Sequence, residues 1–187
     1  MKQNTRCGYI AIIGRPNVGK STLLNHILGQ KLCITSRKPQ TTRHRILGVK
    51  TIDNVQAIFV DTPGIHQNGK KAINHYMNKA AMASMRDVEV ILFVVDATYW
   101  NSEDDAILNR LKQQKVPVIM VINKIDKIKN KRELLPLIQS YSEKMDFKAV
   151  MPISALKSVH LEKLEQTIYD LLPESEHYFE EIGRAHV

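Results

Sequence analysis

The chain has 187 residues, 43% of them hydrophobic and 25% charged, and its length is typical of one domain of about 100–200 residues. This composition excludes a disordered chain, a collagen and a disulfide-rich scaffold, while the net charge of +8 favours anionic partners such as nucleotide, nucleic acid or acidic lipid. The two cysteines, Cys7 and Cys33, fit no metal or disulfide spacing, so we expect the reduced thiols of a cytoplasmic protein.

Short apolar runs rich in β-branched residues alternate with helical stretches along the chain. In chain order, the sequence predicts a strand at 9–13, a helix at 19–28, strands at 45–52 and 55–60, a helix at 73–86, a strand at 90–95, a helix at 104–114, a strand at 117–122, a helix at 131–144, a strand at 149–153 and a helix at 159–172. The turn residues Asp53 and Asn54 favour a hairpin between the second and third strands. This alternation predicts a three-layer α/β/α fold with a mostly parallel six-stranded sheet and one antiparallel edge strand.

The domain boundary is predicted from the end of the last helix. Pro173 ends that helix, so we predict one domain over residues 1–173 and a linker or tail over residues 174–187. Every motif described below follows a predicted strand, and ligands of such sheets bind beyond the carboxyl ends of the strands.

A phosphate-binding loop is predicted between the first strand and the first helix. The segment GRPNVGKS, from Gly14 to Ser21, fits the pattern GxxxxGKS/T in the strand-and-helix setting that the pattern requires. Its backbone amides and the helix N-terminus would surround phosphate, Lys20 would reach the β- and γ-phosphates, and the Ser21 hydroxyl would ligate Mg²⁺. The chain is therefore predicted to be a P-loop NTPase. We assign nucleotide contacts here to Asn17, Val18, Gly19, Lys20, Ser21 and Thr22.

A second carboxylate site follows the third predicted strand. Asp61 begins the sequence Asp-Thr-Pro-Gly and stands where a Mg²⁺-binding aspartate is expected. The backbone N–H of Gly64 would meet the γ-phosphate, because glycine lets the chain approach closely. Both residues are assigned to nucleotide binding, and Asp61 also to the metal.

The base-recognition motif is the sequence NKxD after the strand at 117–122. A carboxylate at Asp126 can accept hydrogen bonds from N1 and N2 of guanine, whereas adenine would leave that charge unpaired. Lys124 would lay its stem along the base, and Asn123 would tie this loop to the phosphate loop.

A weaker motif, Ser154-Ala155-Leu156, follows the last predicted strand. The N–H of Ala155 would donate to O6 of guanine, and all three residues are assigned to nucleotide binding. Ser154 is also compatible with a helix N-cap.

A switch segment is predicted at residues 38–45, which lack clear periodicity. In GTPases a threonine of this segment completes the Mg²⁺ shell when GTP is bound. Thr42 is our choice for that metal ligand, with Thr41 as the alternative.

The residue directly after the Asp-Thr-Pro-Gly sequence is Ile65, where Ras-like enzymes carry a glutamine that orients water. We therefore predict weak intrinsic hydrolysis that needs help from another group. Asn17 with a bound K⁺ is the first choice, and Arg43, Arg45 and His66 are alternatives. The catalytic assignments are Lys20, Thr42, Gly64 and Asn17.

Longer sequence segments indicate a family. The segments GRPNVGKSTLLN and DTPGI are shared widely among the translation-factor-related GTPases of the branch that contains TrmE, Era and EngA. KPQTTRHRILGV, DTPGIHQ and LLPESEHYF are similar more narrowly to the Era family, because TrmE and EngA usually have an acidic residue where this chain has His44. The resemblance covers residues 9–179.

The resemblance to the Era family implies a molecular switch that hydrolyses GTP to GDP and phosphate, with Mg²⁺. It also implies a role in 16S rRNA maturation and small ribosomal subunit assembly, a cytoplasmic location and some peripheral association with the inner face of the cell membrane. Era reads RNA with a C-terminal KH domain, and no GxxG clamp follows Pro173. We therefore expect the KH domain to be absent, the chain to be a monomer, and specific RNA binding by this chain alone to be lacking.

Two other classes of function compete with the GTPase prediction. A P-loop kinase would transfer phosphate to a small acceptor and would leave the NKxD motif unexplained. A nucleotide-independent RNA-binding scaffold predicts that Lys20→Ala leaves function intact, whereas the switch prediction expects that variant to lose nucleotide binding.

Overall fold

A computed structural model describes residues 4–29, 45–61 and 87–179. Within these ranges the protein has six strands, four α-helices and two short 3₁₀ turns. The strands are β1 (Arg6–Ile13), β2 (Arg45–Ile52), β3 (Val55–Asp61), β4 (Val90–Asp96), β5 (Val118–Asn123) and β6 (Ala149–Pro152). The helices are α1 (Lys20–Leu28), α2 (Ser102–Leu111), α3 (Leu134–Ser142) and α4 (Leu161–Leu171), and the 3₁₀ turns are Ile125–Lys127 and Lys131–Glu133.

The six strands form one sheet in the order β2-β3-β1-β4-β5-β6. Only β2 is antiparallel to its neighbour, while the other described pairs are parallel. The predicted α/β fold with one antiparallel edge strand is therefore confirmed. Because the parallel strands share one direction, the residues that follow β1, β3, β4, β5 and β6 gather at the same edge of the sheet.

Two apolar cores cover the two faces of the sheet. Alternate residues of β1 point to opposite faces, so Ile10 packs with residues of α1 and α4, whereas Ala11 packs with residues of α2 and α3. The central strands β4 and β5 are buried along their whole length, as expected for strands covered on both faces. This packing gives the three predicted layers, and no helix in the described part of the chain is long and apolar enough to cross a membrane.

Helix α2 shows how local sequence defines an element. Asn101 caps its N-terminus by accepting hydrogen bonds from the N–H groups of Glu103 and Asp104. The side chain of Asp104 accepts in return from the N–H of Asn101, which completes a capping box. Acidic residues in this first turn also suit the positive end of the helix dipole.

Several predicted boundaries differ from the observed ones. The sheet takes in three residues before the predicted start of the first strand, because β1 begins at Arg6. The helix predicted at 131–144 is a 3₁₀ turn followed by α3, which starts at Leu134. Pro136 fits the first turn of α3, where the missing N–H has no partner to lose. The helix predicted at 73–86 lies outside the described residues.

The packed domain extends past the predicted boundary at residue 173. Glu174 forms an isolated antiparallel bridge with Arg6, and the N–H of Ser175 donates to the carbonyl oxygen of Thr5 at 3.0 Å. The ring of Tyr178 stacks on that of Tyr9, with centroids 5.5 Å apart. Residues 174–179 therefore belong to the folded unit, which corrects the prediction that they form a linker.

Candidate nucleotide-binding site

The loop between β1 and α1 has backbone angles that suit an anion-binding loop. Asn17 and Gly19 have positive φ angles of 65° and 101°, and alternation between right- and left-handed residues makes an anion-binding concavity. Gly19 is the N-cap of α1 and contributes no side-chain hydrogen bond. The first N–H groups of the helix are thus left for a ligand, and they carry the positive end of the helix dipole.

The glycines of this loop allow close approach to neighbouring elements. A Cβ added to Gly14 would lie 2.3 Å from the carbonyl oxygen of Val94, and one added to Gly19 would lie 2.2 Å from Nδ2 of Asn123. Both contacts are far shorter than real Cβ atoms make, so each position requires glycine for steric reasons.

Lys20, the predicted phosphate ligand, is held inside the loop. Its Nζ donates to the carbonyl oxygens of Gly14 and Arg15, both at 2.8 Å. Burial lowers the pKa of this ammonium, and the nearby charge of Arg15 lowers it further, whereas Asp61 acts in the opposite direction. A cation with this little solvation gains strongly from an incoming phosphate.

Oxygen donors for a metal ion occur beside Lys20. Asp61 is the last residue of β3 and pairs in register with Ile12 of β1. Ser21 is exposed in the first turn of α1, next to Thr22. Residues 4–29, 45–61 and 87–179 contain no cluster of three or more His, Cys, Asp or Glu side chains that could hold a metal alone.

Asn123 joins three segments of the site. Its Nδ2 donates to the carbonyl oxygen of Val18 at 2.8 Å, and its Oδ1 accepts from the N–H of Ala155 at 3.0 Å. Asn123 is 2% exposed, so these bonds are formed away from solvent. The predicted tie between the base loop and the phosphate loop is present.

The other partner of Asn123 is Ala155, whose contact with guanine stays a prediction. The N–H of Ala155 was expected to donate to O6 of guanine, but in this structure it donates to the Asn123 side chain. Leu156, the next residue, is 67% exposed. The amide group of Ala155 therefore has a structural role in joining two loops.

Asp126 is oriented by the loop that follows β6. Ser154 donates from its hydroxyl to Oδ1 of Asp126 at 2.6 Å and accepts from the N–H of Lys157 at 3.1 Å. The serine thus closes its own turn and also fixes the carboxylate. It does not cap a helix, because the next helix begins at Leu161 with His160 as its N-cap, and its contact with nucleotide stays a prediction. Asp126 itself is exposed, which leaves its other oxygen for a ligand.

Lys124 contacts two groups that its motif did not identify. It has a left-handed φ of 67°, and its Nζ forms a salt bridge with Asp96 at 2.7 Å and donates to the carbonyl oxygen of Asn17 at 2.6 Å. Asp96 also accepts from the N–H and the hydroxyl of Thr98. Asp96 could have been found from sequence, because it ends a buried strand at the ligand-binding edge.

Several predicted residues cannot be placed. Thr42, Gly64, Thr41, Arg43, Ile65 and His66 lie outside the described residues, and of Arg45 only the backbone is described. The contacts above join the phosphate loop to the two loops that follow β5 and β6. Ser21, Thr22 and Leu156 are exposed and take no part in these contacts.

Comparison with known proteins identifies the family. A family model described as "50S ribosome-binding GTPase" matches residues 9–124, which include the phosphate loop, Asp61 and the first two residues of the base motif. The chain belongs to this family of GTPases. It is 57% identical over 175 residues to GTPase Era of Marinobacter nauticus, covering 94% of this chain.

Two solved Era structures have the same fold. One is Era in complex with MgGDPNP and nucleotides 1506–1542 of 16S ribosomal RNA, with a TM-score of 0.78, 48% identity and 96% of this chain covered. The other is a variant of Aquifex aeolicus Era bound to GDP·AlF4⁻, with the same score, identity and coverage. The predicted resemblance to Era GTPases is confirmed. The chain spans only 57% of the Marinobacter relative and 61% of each solved chain.

Proposed function

We propose that the chain binds GTP and GDP and hydrolyses GTP to GDP and phosphate as a molecular switch, as its relatives' name implies. The observation that carries this proposal is the pair of hydrogen bonds made by Asn123, which holds the phosphate loop and the base loop in one arrangement. A nucleotide needs both ends of this arrangement, because its phosphates and its base bind to different loops.

Guanine specificity is attributed to Asp126. The hydroxyl of Ser154 occupies one of its oxygens, and the carboxylate can accept from the N1–H and N2–H₂ groups that guanine presents side by side. Adenine has an acceptor at N1 and no 2-amino group, so it would leave a charged acceptor without its partners. A site built on such pairing can reject the wrong base by about 10⁴–10⁵.

The residues present fit a bound Mg²⁺. The ion prefers hard oxygen ligands and usually takes only one or two from the protein, with phosphate and water completing the shell. Ser21 offers a hydroxyl and Asp61 a carboxylate, and Thr42 is proposed to add a second hydroxyl when GTP is bound. When bound, Mg²⁺ would neutralise charge on the phosphates, while Lys20 would hold the β- and γ-phosphates.

Weak intrinsic hydrolysis is proposed because Ile65 cannot orient water. We further propose that Asn17 helps to bind a K⁺ ion near the developing charge, which its exposed position in the phosphate loop permits. Hydrolysis should then be faster in K⁺ than in Na⁺ at equal ionic strength, and Asn17→Ala should remove the difference. Equal rates in the two salts would contradict the K⁺ proposal and leave the GTPase proposal standing.

The longer protein is proposed to act in 16S rRNA maturation and small ribosomal subunit assembly. Support comes from the relatives named Era and from the Era complex with a 16S rRNA segment. For the chain itself, the charge of +8 predicts only nonspecific, salt-sensitive RNA affinity. The protein is proposed to be cytoplasmic, and the same charge supports the proposal that it associates peripherally with the inner face of the cell membrane.

The test of nucleotide binding is calorimetry with GDP, GTP and ATP in the presence of Mg²⁺, for the wild-type chain and for Asp126→Asn. We expect the guanine nucleotides to bind and ATP not to bind, and the variant to lose affinity for GDP. Because an amide can donate to the 2-oxo group of xanthine, the variant should gain affinity for xanthosine diphosphate. That gain would exclude unfolding as the cause of the loss.

Asp146→Asn is the matched control, since this exposed carboxylate lies before β6 at the opposite end of the strands. It should bind GDP like the wild-type chain. Equal binding of ATP and GDP by the wild-type chain, or unchanged GDP affinity in Asp126→Asn, would contradict the proposed function.

A further inference from the structure

Arg15 stands inside the phosphate loop, yet its side chain is enclosed by protein. It is 5% exposed, and its Nε donates to Oδ2 of Asp104 at 3.0 Å. Asp104 belongs to the first turn of α2, 89 positions along the chain. The guanidinium of Arg15, beside the predicted phosphate site, is thus paired with a carboxylate from another segment of the chain.

Asp104 is a costly residue to bury, which indicates a specific role. It is fully buried, and isolated buried carboxylates are strongly disfavoured unless they are paired. Its Oδ2 accepts from Arg15 and from the N–H of Asn101 at 3.1 Å. Its Oδ1 has no hydrogen-bond partner among the described residues, so the N–H of Asn101 and the guanidinium of Arg15 together compensate for its charge.

Tyr99 closes the other side of the Arg15 guanidinium. The guanidinium carbon lies 4.0 Å from the centre of the tyrosine ring. Nη1 donates to the tyrosine hydroxyl at 2.7 Å and Nη2 to the tyrosine carbonyl oxygen at 3.2 Å. Arginine is suited to this site, because its planar group can stack on a ring and donate in several directions at once.

The backbone of Arg15 connects this network to the ligand-binding lysine. Its carbonyl oxygen accepts from Nζ of Lys20, as does that of Gly14. Fixing the side chain of Arg15 therefore fixes a carbonyl that orients Lys20. Without this restraint, a loop with two left-handed residues would lose much conformational entropy when it binds phosphate. Holding the loop in its bound shape beforehand therefore strengthens phosphate binding.

We propose that Asp104 is a positioning residue for the phosphate loop, acting through Arg15 to hold the loop in its phosphate-binding shape. The proposal rests on the proposed function, since it concerns how the same site recognises a nucleoside diphosphate. It adds a contribution from the first turn of α2 and the loop before it, which contain no nucleotide-binding motif. The role does not involve contact with the nucleotide.

The experiment compares GDP with GMP, which lacks the β-phosphate that the loop and Lys20 would hold. Affinities are measured with Mg²⁺ by displacement of a fluorescent GDP analogue from the wild-type chain and from Asp104→Asn. We expect the variant to bind GDP about tenfold more weakly, at the low end of losses seen when outer-shell partners are removed, and to lose less affinity for GMP. The ratio of the affinity for GDP to the affinity for GMP should therefore fall.

This ratio separates positioning from general destabilisation, because a smaller folded fraction reduces both affinities equally. Asp105→Asn is the matched control: this exposed neighbour removes the same charge from the same helical turn and should keep the wild-type ratio. Tyr99→Phe is a milder variant, because it removes only the hydrogen bond from Nη1 of Arg15 to the hydroxyl and keeps the ring and the carbonyl. Since Tyr99 is 53% exposed, this variant should fold. It should lower the ratio by a smaller amount and decides the question if Asp104→Asn does not fold.

An unchanged ratio in Asp104→Asn, or in Tyr99→Phe where only that variant folds, would overturn the positioning role while leaving the proposed function intact. Absence of GDP binding by the wild-type chain would overturn both, so the two failures are distinguishable.

Discussion

The side chain of Asn123 donates to the carbonyl oxygen of Val18 across 2.8 Å and thereby joins two loops that are 105 positions apart in the chain. The same side chain accepts from the N–H of Ala155. One buried amide thus sets the distance between the phosphate loop and the two loops near the base. The geometry of the site depends on it.

Asn123→Ala should destabilise the protein and weaken nucleotide binding. The variant leaves a buried carbonyl and a buried N–H without their partner, which costs about 1–3 kcal/mol in the free energy of unfolding. The measurement is urea unfolding, followed by GDP titration of the folded variant. Asn109→Ala is the control, because Asn109 is exposed on α2 and such changes usually stay within about 0.5 kcal/mol. Equal stability of the two variants would contradict the bridging role.

Gly14→Ala should destabilise the protein more than Gly48→Ala, although both new methyl groups meet an atom within 2.3 Å. At Gly14 that atom is the backbone carbonyl oxygen of Val94, so the strands must shift at a cost of about 1–3 kcal/mol. At Gly48 it is the end of the Leu28 side chain, which can change rotamer at about 0.5–1.5 kcal/mol. Urea unfolding of the two variants measures the difference, and the reverse order would show that the contact at Gly14 is relieved in another way.

The charge pair between Asp96 and Lys124 predicts a pH dependence of stability. Burial raises the pKa of the Asp96 carboxyl, but hydrogen bonds from Lys124 and Thr98 outweigh it and hold the pKa below its ordinary 3.8. A carboxyl whose pKa falls on folding stabilises the protein above its unfolded pKa and loses that contribution as the pH drops through the folded value. Asp96→Asn should therefore lower the free energy of unfolding by a constant amount at pH 5–7, and the deficit should shrink below about pH 4.

The check for that pair is urea unfolding of the wild-type chain and Asp96→Asn over this pH range, repeated in a Lys124→Met background. Without the ammonium, the effect of Asp96→Asn should change much less with pH. A deficit that stays constant down to pH 3 would mean that the carboxylate is not stabilised by its partners.

Most of the fold could be predicted because its strands are continuous apolar runs. Strands β4 and β5 are buried on both faces, which makes them visible without an alternating pattern. The start of β1 was missed because Arg6, Cys7 and Gly8 do not form an apolar run. Those residues belong to the sheet through pairing with β3, and pairing between distant segments leaves no local signal.

The same reason limits prediction of the site. Motif residues such as Lys20, Asn123 and Asp126 are recognised because their spacing in sequence reflects the ligand. Asp104 and Arg15 form a buried pair that depends on how α2 packs beside the phosphate loop, and neither residue alone is unusual in the sequence. The packed tail at 174–179 was missed for a related reason, since its partner Gln56 is distant in sequence.

The hydrogen bonds of Gln56 predict how the packed tail at residues 174–179 is held. It is fully buried, its Oε1 accepts from the N–H groups of Tyr178 and Phe179 at 2.9 and 3.0 Å, and its Nε2 donates to the carbonyl oxygen of Phe179 at 2.9 Å. Gln56→Leu keeps a similar side-chain volume but removes both the hydrogen-bond acceptor and the hydrogen-bond donor. A hydrogen bond contributes about 0.5–1.5 kcal/mol net, so loss of two or three should speed exchange of these amides about tenfold or more.

Amide hydrogen exchange followed by NMR provides the test. The amides of Tyr178 and Phe179 should exchange faster in Gln56→Leu, while the amide of Phe59 in the middle of β3 should keep its protection, because the ladder there is intact. Gln166→Leu is the matched control on the exposed face of α4 and should change neither. Faster exchange throughout β3 would show that Gln56 stabilises the sheet as a whole, and unchanged exchange at Tyr178 and Phe179 would show that stacking on Tyr9 is enough to hold the tail.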